Sequence, residues 1–410
     1  MIRIAIIKYA GLSSAGTEKF LQNIAVHLPK DRFIVDFFYC VHNRDEPEMF
    51  SVPEKSNEVE DYLNHHNVNL IEFNVAARDL NSPCHNWIDT DFWKVFDEAK
   101  YDIIQTGRGG YPEYPFNKIK KTPIVDSIHL SGFFDNQFNI SRVMHISEWS
   151  AKKWITDGGD KNRIRHVSHI IDIPSNELSG DNYREELNLE GKFIFGFHQR
   201  NDEYIFSDIP LNAFAKLKHS NAAFIILGGS EKYRVQAKRL KLNEVYFLDH
   251  TSNKEVVRKF LRTLNVYAHG RKDGEVNSTA IAEAMFFSLP IISHSSIVAQ
   301  GHMKLIESIG FLANDSDDYY LGLTRMLNDV NFYKSCSRKS KEFFEKNYSP
   351  KGQINKIIDI YDEVIINPFP KKLRRHFFAL KTKKYIAIRY FEIFRYKIFS
   401  RVKKLLRNND

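Results

Sequence analysis

The segment LNVYAHGRKDGEVNSTAIAEAMFFSLPIISHS, residues 264–295, has the pattern of a strand, a helix and a second strand. The apolar runs at its two ends have the aromatic and β-branched content of buried strands. Ser278 or Thr279 is a suitable N-cap for the helix between them, and Pro290 ends that helix. Because a helix that joins two buried strands is the repeating unit of a parallel sheet, the segment predicts an α/β fold.

The same alternation of apolar runs and helical patterns extends over most of the chain. Helices are predicted at 16–28 and 89–100, among others. Strands are predicted at 2–7, 33–40, 69–74, 101–106 and 122–129, and in a second series at 192–198, 222–229, 245–249, 264–270 and 290–295. Two series of this kind predict two Rossmann-like, doubly wound lobes that face each other across a cleft.

The length of 410 residues also favours two domains over one, since a single core rarely serves so long a chain. A polar stretch between the two strand series is the predicted linker. The predicted domains are an N-terminal lobe at 1–172, the linker at 173–190, a second lobe at 191–348, a helix at 349–366 that crosses back to the first lobe, and a basic tail at 367–410.

The composition is that of a folded protein, with 43% hydrophobic and 27% charged residues. There is no apolar run of 18 residues that would predict a transmembrane helix. Arg3 interrupts the opening MIRIAII, which therefore indicates a buried first strand and not a secretory signal. Cys40, Cys84 and Cys336 have neither disulfide-type nor zinc-type spacing, so a reducing cytoplasm is expected.

Glu275 and Glu283 lie on either side of the predicted helix start. On one continuous helix they would be about 12 Å apart, whereas a glycosidase acid/base pair requires roughly 5 to 9.5 Å. If the helix begins between them, Glu275 lies in the loop at the carboxyl edge of the sheet and Glu283 about one turn into the helix. Helix N-termini at this edge bind phosphate, which favours a nucleotide-sugar site. The alternative is a charge in the first turn and a helix-surface residue.

The segment YAHGRKDGEVNSTAIAEAMFFSLPII resembles the E-x7-E segment of retaining GT-B glycosyltransferases of family 4, the glycosyl transferases group 1. It keeps the spacing of the two glutamates, the EAM triplet and the proline. The resemblance continues through AGLSSAGTEKFLQNIA, TPIVDSIH, HISEWSAKKWITDGGDKNRIRHVSHIID and IFGFHQRNDEYIFSDIPLNAFAKL, and covers most of residues 1–366. It implies a GT-B fold and the transfer of a sugar from a nucleotide-diphosphate donor.

The resemblance also implies roles for individual residues. Arg200 would neutralise the donor diphosphate, His129 would lie beside the transferred sugar, and Glu275 would hold sugar hydroxyls. The remaining implied contacts are the loop backbone at Gly16, the base-flanking Gly228 and Gly229, the phosphate-binding backbone of Asn277, Ser278 and Thr279, and the ribose ligand Glu283. A metal ion or cofactor is not expected, and the departing phosphate would serve as the base in a front-face attack.

Two positions depart from the family pattern. The lysine that the family carries after its diphosphate-binding arginine falls near Ile205 here, and Arg271 or Lys272 is the candidate replacement. An inactive donor site is the alternative interpretation. Asn277 and Ser278 stand where the family has Phe-Gly, which bears on how closely the backbone approaches the diphosphate.

Other motifs favour structural roles. GLSSAG at 11–16 has the glycine spacing of a P-loop, but Thr17 and Glu18 follow where lysine and a hydroxyl residue are required. There is no GxGxxG after the first strand, which argues against a dinucleotide oxidoreductase. DTD at 89–91 and DSD at 315–317 are expected to cap helices and not to bind metal. The sixteen histidines show no HExxH spacing.

The end of the chain is strongly basic. Residues 371–407 hold fourteen lysines and arginines, one glutamate and eight aromatic residues, a net charge of +13 that leaves −5 on the rest of a +8 chain. This composition predicts a helix on an anionic membrane surface. A solvated tail and a nucleic-acid-binding segment are the alternatives. A lipid-linked acceptor would be presented at a membrane, so the membrane interpretation is favoured and no nucleic acid is expected.

Taken together, these features predict a metal-independent retaining glycosyltransferase of the hexosyltransferase type. It would move a sugar from a nucleotide-diphosphate donor to a hydroxyl of a glycan or glycolipid, in polysaccharide or glycoconjugate synthesis at the inner face of a membrane. Two alternatives stay open. One is another sugar-nucleotide enzyme of the same architecture, such as an epimerase, and the other is a non-catalytic module that binds sugar nucleotides or membranes.

Overall fold

The computed structural model describes residues 1–41, 55–74, 91–108, 115–129, 134–219 and 221–369. The chain forms two compact units. The first comprises Met1–His145, Ser150–Val167 and Lys356–Asp410, and the second comprises Ile146–Trp149 and Ser168–Asn355. Cys84 and the tail predicted at 371–407 lie outside the described residues.

The first unit is built on a parallel sheet of seven strands. These are β1 (Ile2–Ile7), β2 (Phe33–Val41), β3 (Asn69–Asn74), β4 (Ile103–Arg108), β5 (Ile124–Ile128), β6 (Ile140–His145) and β7 (Ile164–His166). Their order is β3-β2-β1-β4-β5-β6-β7. The order reverses between β1 and β4, which is the topological switch point of a doubly wound sheet.

Within the described residues, four α-helices accompany these strands. They are α1 (Gly16–His27), α2 (Asn57–His65), α3 (Phe92–Val95) and α4 (Glu148–Asp157). The continuous helix predicted up to residue 100 is wrong, because the backbone becomes extended at Phe96. The Phe96 ring stacks on Phe92 at 4.9 Å and on Tyr101 at 5.6 Å between centroids. The Asp97 carboxylate then caps a separate 3-10 turn at Glu98–Lys100. Burial of Phe96 thus overrides the helical pattern.

The second unit has a parallel sheet of six strands and a small parallel pair. The strands are β8 (Phe193–Gln199), β9 (Ala222–Gly228), β10 (Val245–Leu248), β11 (Val266–Ala268), β12 (Gly274–Glu275), β13 (Ile291–His294), β14 (Ala299–Gln300) and β15 (Phe311–Ala313). The large sheet has the order β10-β9-β8-β11-β13-β15, and β12 pairs with β14. The switch point of the large sheet therefore lies between β8 and β11.

The helices that follow are α5 (Ile209–Leu217), α6 (Glu231–Arg239), α7 (Lys254–Thr263), α8 (Thr279–Phe286), α9 (Met303–Ile309), α10 (Ser316–Asn328), α11 (Val330–Asn347) and α12 (Pro350–Ile366). The predicted cap at 315–317 is confirmed, since Asp315 accepts hydrogen bonds from the backbone N–H groups of Asp317 and Asp318. Asp91 is the N-cap residue of α3 but makes no side-chain cap bond, and residues 89–90 are outside the described part of the chain.

The second half of α12 belongs to the first unit. Tyr361 is fully buried there, and its hydroxyl donates to Gln105 Oε1 at 2.9 Å. Glu363 accepts from Arg142 Nη2 at 2.9 Å and from Arg165 Nε at 2.7 Å. These bonds join the helix to strands β4, β6 and β7.

Two doubly wound parallel sheets with connecting helices confirm the predicted α/β class and the Rossmann-like character of both units. All ten predicted strands are present, with ends that differ by at most two residues. Each sheet has a fully buried centre, as in Ile4–Ile7 of β1 and Ala222–Ile226 of β9. No helix in the described ranges is long and apolar enough to cross a bilayer.

Candidate functional site

The candidate site lies at the carboxyl edge of the second sheet. Strands β8 and β11 are neighbours and end at Gln199 and Ala268, where the strand order reverses. Ligands of open α/β sheets bind at this kind of position. The loops that leave these strands carry most of the residues predicted to contact a donor.

Glu275 is a carboxylate of this edge with two basic partners. Its Oε1 atom lies 3.2 Å from Arg271 Nη1 and 3.5 Å from His269 Nε2. Burial alone would raise the pKa of this carboxyl, but hydrogen bonding and charge from His269 and Arg271 lower it to about 2. A hydrogen bond with Ser278 acts in the same direction. Glu275 is therefore ionised at physiological pH and can accept hydrogen bonds from hydroxyl groups.

Two histidines hold the backbone at Glu275. The backbone N–H of Glu275 donates to His302 Nδ1 at 3.2 Å, and His302 Nε2 lies 3.0 Å from the carbonyl oxygen of His294. His294 in turn contacts Ser207 Oγ at 2.8 Å and the Ser295 carbonyl at 2.8 Å. Burial lowers the pKa of both rings, that of His294 to about 4, so both are neutral at pH 7. These partners assign the hydrogen of His302 to Nε2.

The N-terminus of α8 follows directly. Ser278 is its N-cap, as predicted, and Ser278 Oγ accepts from the backbone N–H three residues on at 3.3 Å. The helix begins at Thr279. Asn277 is held on both sides of its amide, since Nδ2 donates to the Ile146 carbonyl and Oδ1 accepts from the Tyr348 hydroxyl at 2.9 Å. Asn277 and Ser278 thus fix the helix terminus through their side chains.

Glu283 lies about one turn into α8. Its Oε2 atom is 3.2 Å from His198 Nε2, at the end of β8. His198 Nδ1 lies 3.3 Å from the hydroxyl of Tyr267 on β11. The Glu283 side chain is therefore tied to the two strands that meet at the switch point.

Two glycines shape the neighbouring strand end. Gly228 and Gly229 have φ values of 74° and 76°, a region that favours glycine. A Cβ atom on Gly228 would lie 2.3 Å from the Gln199 carbonyl oxygen, which no side chain could tolerate. Their role in flanking a base stays a prediction, but the close backbone approach at this edge requires glycine.

The site also presents cations. The Arg200 side chain is 63% exposed, and its guanidinium is 2.8 Å from Asp202 Oδ2. Arg200 is placed by the loop that leaves β8, directly after Gln199. It is accessible to an anionic ligand, which would have to compete with the Asp202 carboxylate.

The position of the expected lysine is apolar and buried. Ile205 is 2% exposed, and its carbonyl oxygen accepts from the backbone N–H of Lys272 at 3.2 Å. The two candidate replacements therefore lie in the loop that contacts this position. Arg271 is paired with Asp273 at 2.6 Å and with Glu275, whereas the Lys272 side chain is exposed. Of the two, Lys272 is the more accessible cation.

His129 and Gly16 belong to the first unit and lie at the carboxyl edge of its sheet. His129 follows β5, is buried, and makes an edge-on ring contact with Phe20 at 5.1 Å. Gly16 begins α1, and a Cβ atom there would meet no heavy atom within 4 Å. The protein's own packing does not require glycine at this position. The association of these two residues with Glu275 in one site stays a prediction.

The second unit thus brings together ten of the predicted residues at one sheet edge. They are Arg200, Gly228, Gly229, Arg271, Lys272, Glu275, Asn277, Ser278, Thr279 and Glu283. In the described part of the chain, no group of three or more His, Cys, Asp or Glu residues could hold a metal ion. The residues that sequence reasoning missed are His198, His294, His302 and Tyr348. The available signal for two of these was a histidine at the carboxyl end of a predicted strand, as in KFIFGFH and PIISHS.

Comparison with known protein families finds one match. Residues 180–343 match the family model described as "Glycosyl transferases group 1". This segment contains every one of the ten residues at the edge of the second sheet. No curated protein matches the chain significantly.

Several solved structures are similar over most of their length. Anabaena HepE in complex with UDP-glucose is 17% identical, with 88% of this chain and 100% of that chain covered and a TM-score of 0.61. A glycosyltransferase from Rickettsia africae is 12% identical, with 89% and 99% covered and a TM-score of 0.69. The lipopolysaccharide outer core galactosyltransferase WaaB is 15% identical, with 88% and 100% covered and a TM-score of 0.60. The chain therefore has the GT-B fold, and residues 180–343 of its second unit are similar to the glycosyl transferases group 1 model.

Proposed function

We propose that the protein is a retaining glycosyltransferase of the family 4 type, which moves a hexosyl group from a nucleotide-diphosphate sugar to a hydroxyl of a glycan or glycolipid. The observation that carries this proposal is the capped N-terminus of α8 between Glu275 and Glu283, at the switch point of a doubly wound sheet. Helix N-termini bind phosphates, and ionised carboxylates accept hydrogen bonds from sugar hydroxyls. The UDP-glucose bound to HepE supports a donor of this class.

The geometry of the edge supports a set of donor contacts. The backbone of residues 277–279 and the Arg200 guanidinium bind the diphosphate, Glu275 accepts from the hydroxyls of the sugar, and Glu283 accepts from the ribose. Gly228 and Gly229 leave room for the base. For His129 and Gly16 of the first unit, the proposed ligands are the transferred sugar and the phosphates or acceptor, respectively. Side-chain cations and the helix terminus stabilise the leaving diphosphate, which is the main electrostatic contribution to catalysis.

The transfer proceeds at one face of the sugar. The acceptor oxygen forms a bond to the anomeric carbon as the bond from that carbon to the diphosphate oxygen breaks, and the acceptor proton passes to the departing phosphate. The low pKa of Glu275, about 2, supports this scheme, because such a carboxylate orients hydroxyls and does not act as a proton donor at neutral pH. No metal ion or cofactor takes part in the proposed reaction.

Lys272 replaces the lysine missing at the position of Ile205. The backbone contact between these two residues and the exposure of the Lys272 side chain support the replacement. The absence of a charge at Ile205 also supports a second candidate function, a module that binds sugar nucleotides without turnover. Ile205 supplies no charge, and Arg271 is already paired with Asp273 and Glu275.

The acceptor is presented at an anionic membrane, to which residues 371–407 attach the protein. The net charge of +13 and the eight aromatic residues of this segment support the attachment. The similarity to WaaB, a lipopolysaccharide outer core galactosyltransferase, supports a lipid-linked acceptor here. A chain truncated after Phe369 keeps α12 intact and is expected to lose co-sedimentation with phosphatidylglycerol vesicles. Equal sedimentation of the truncated and full chains would refute the attachment.

A turnover screen tests the proposed activity. UDP-, GDP-, ADP- and dTDP-linked hexoses are incubated with the full chain, and release of the nucleoside diphosphate is measured with and without glycan acceptors. Hydrolysis or transfer of one donor, with an α-linked product from an α-linked donor by NMR, is expected. An inverted product would contradict the retaining mechanism. An epimerised donor without acceptor would indicate an epimerase, and binding without turnover would indicate the non-catalytic module.

A further inference from the structure

Three side chains form a hydrogen-bonded row at the edge of the second sheet. The Tyr267 hydroxyl lies 3.3 Å from His198 Nδ1, and His198 Nε2 lies 3.2 Å from Glu283 Oε2. Tyr267 is fully buried, whereas the side chains of His198 and Glu283 are 15% and 29% exposed. The row therefore runs from the core of the unit to the carboxylate that is proposed to bind ribose.

The donor in the contact between His198 and Glu283 follows from the chemistry of the carboxylate. A carboxylate oxygen accepts hydrogen bonds and does not donate, so the 3.2 Å contact with Glu283 Oε2 places a hydrogen on His198 Nε2. The buried Tyr267 hydroxyl donates to the His198 carbonyl oxygen at 3.2 Å and lies 3.3 Å from Nδ1 of the same residue. These two contacts hold the imidazole ring beside β11 with Nε2 directed at Glu283.

The hydrogen bond from His198 to Glu283 affects how Glu283 binds a ligand. A glutamate side chain loses rotamer freedom when a ligand orders it, which weakens binding. A hydrogen bond that is already present in the unliganded protein removes part of this cost, which is the general effect of preorganisation. The bond to His198 also fixes the plane in which the two carboxylate oxygens lie.

We infer that His198 is a positioning residue for nucleotide recognition. It holds Glu283 Oε2 so that the carboxylate meets the two ribose hydroxyls, and Tyr267 holds the imidazole ring in place. The inference rests on the proposed function and deepens it, because it assigns the discrimination between ribose and deoxyribose to a residue that does not touch the nucleotide. His198 acts on the ground-state binding of the donor and not on the chemical step.

The experiment compares ribonucleotides with deoxynucleotides. UDP, GDP and ADP are titrated into the full chain by calorimetry, and the one that binds most tightly is compared with its 2′-deoxy and 3′-deoxy forms. The wild type is expected to bind the deoxy forms about tenfold more weakly, which is the loss of one hydrogen bond to a charged group. His198→Ala is expected to weaken the ribonucleotide about five- to tenfold and the deoxy forms about twofold or less.

Further variants distinguish a role of His198 in positioning Glu283 from a role in packing alone. His198→Gln retains an N–H donor on its side chain and is expected to recover part of the discrimination. Adding His198→Ala to Glu283→Ala is expected to cost nothing further, because the two residues act through one contact. His219→Ala removes an exposed histidine of the same unit and is expected to match the wild type. In turnover assays His198→Ala is expected to raise the donor KM and leave kcat unchanged.

The outcomes distinguish the inference from the function on which it rests. If His198→Ala binds ribonucleotide as tightly as the wild type and keeps the tenfold discrimination, the inference is wrong and the donor site stands. Additive losses in the His198 and Glu283 variants would overturn it in the same way. If none of the three ribonucleotides binds and the turnover screen finds a dTDP-hexose as donor, the inference is overturned and the proposed function stands. If the screen finds no donor at all, the proposed function is overturned, and this inference with it.

Discussion

The carboxyl edges of the two sheets differ in how far their charged side chains are exposed. At the first edge, Arg108 lies 2.8 Å from Asp126 Oδ2 and 3.2 Å from Asp135 Oδ2, and none of these side chains is more than 2% exposed. Burial raises the pKa of Asp126 to about 6, against the opposing effect of Arg108. This arginine satisfies carboxylates within the protein and is out of reach of a ligand.

At the second edge, the same kind of pair is accessible. Arg271 and Glu275 are 18% and 14% exposed, and Arg200 is 63% exposed. The pKa of Glu275 is lowered to about 2, in contrast to the raised pKa of Asp126. At the first edge, the buried ion pairs of Arg108 hold parts of the chain together. At the second edge, the ionised carboxylate of Glu275 is available to a ligand. We expect substitutions at the first edge to act on stability and those at the second on ligand binding.

Arg108→Ala is expected to have the largest effect. It leaves Asp126 and Asp135 buried without their cation, which typically costs about 3 to 5 kcal/mol. Urea unfolding followed by tryptophan fluorescence measures the change in midpoint. Arg200→Ala is the control, and as a surface substitution it is expected to change stability by less than about 0.5 kcal/mol. Equal urea midpoints for the two variants would contradict the claim that the charges of the first edge stabilise the fold and those of the second do not.

Glu275→Ala is expected to abolish most activity without unfolding the protein. Transfer should fall by about 10²- to 10³-fold, the effect of losing one oriented polar group at a reacting centre. The fold is retained, because Arg271 keeps its ion pair with Asp273. Glu307→Ala, an exposed glutamate of α9, is the matched control for both activity and melting temperature. Wild-type turnover in Glu275→Ala would contradict the assignment of the site.

Lys272→Ala is expected to have an intermediate effect. If its ammonium group supplies the charge missing at Ile205, donor affinity should fall about tenfold, a change of about 1.4 kcal/mol. The loss should shrink at high salt, since the side chain is exposed. Lys339→Ala, in an exposed position of α11, controls for the loss of net charge. Equal donor affinity in the two variants would leave the replacement of the missing lysine without support.

Ser278→Ala is expected to have the smallest effect. Loss of the α8 cap typically costs about 1 kcal/mol, whereas glycine at an N-cap costs only a few tenths. Thermal unfolding of Ser278→Ala and Ser278→Gly compares the two. A larger melting-temperature loss for alanine is expected. The reverse order would contradict the assignment of Ser278 as the N-cap of α8.

The sequence predicts the parts of the fold that have long apolar runs. All ten predicted strands are present, whereas β6, β7, β12, β14 and β15 were not predicted, and β12 and β14 have only two residues each. Strand β6, ISRVMH, places Ser141, Arg142 and His145 in buried positions, so its polar residues hide the strand pattern. Strands β7 and β15 have three residues each, too few for a periodic signal.

The sequence predicts only those contacts of the site that join residues close together in the chain. The Ser278 cap lies next to the E-x7-E pattern, and the sequence indicates it. The contact of His198 with Glu283 joins residues 85 positions apart, and that of Asn277 with Tyr348 joins residues 71 positions apart. Neither pair has a sequence motif, because the strand order of the sheet brings the residues together. The pairing of Lys272 with Ile205 has the same origin.

The central claim is that the nucleotide sugar binds at the edge of the second sheet. Hydrogen exchange of the full chain, measured with and without the nucleotide sugar selected by the turnover screen, tests this claim most directly. We predict slower exchange in peptides that contain residues 198–200, 228–230 and 274–283, and a loss of this protection in Glu275→Ala. Protection confined to peptides of the first unit, or unchanged protection in Glu275→Ala, would contradict the account.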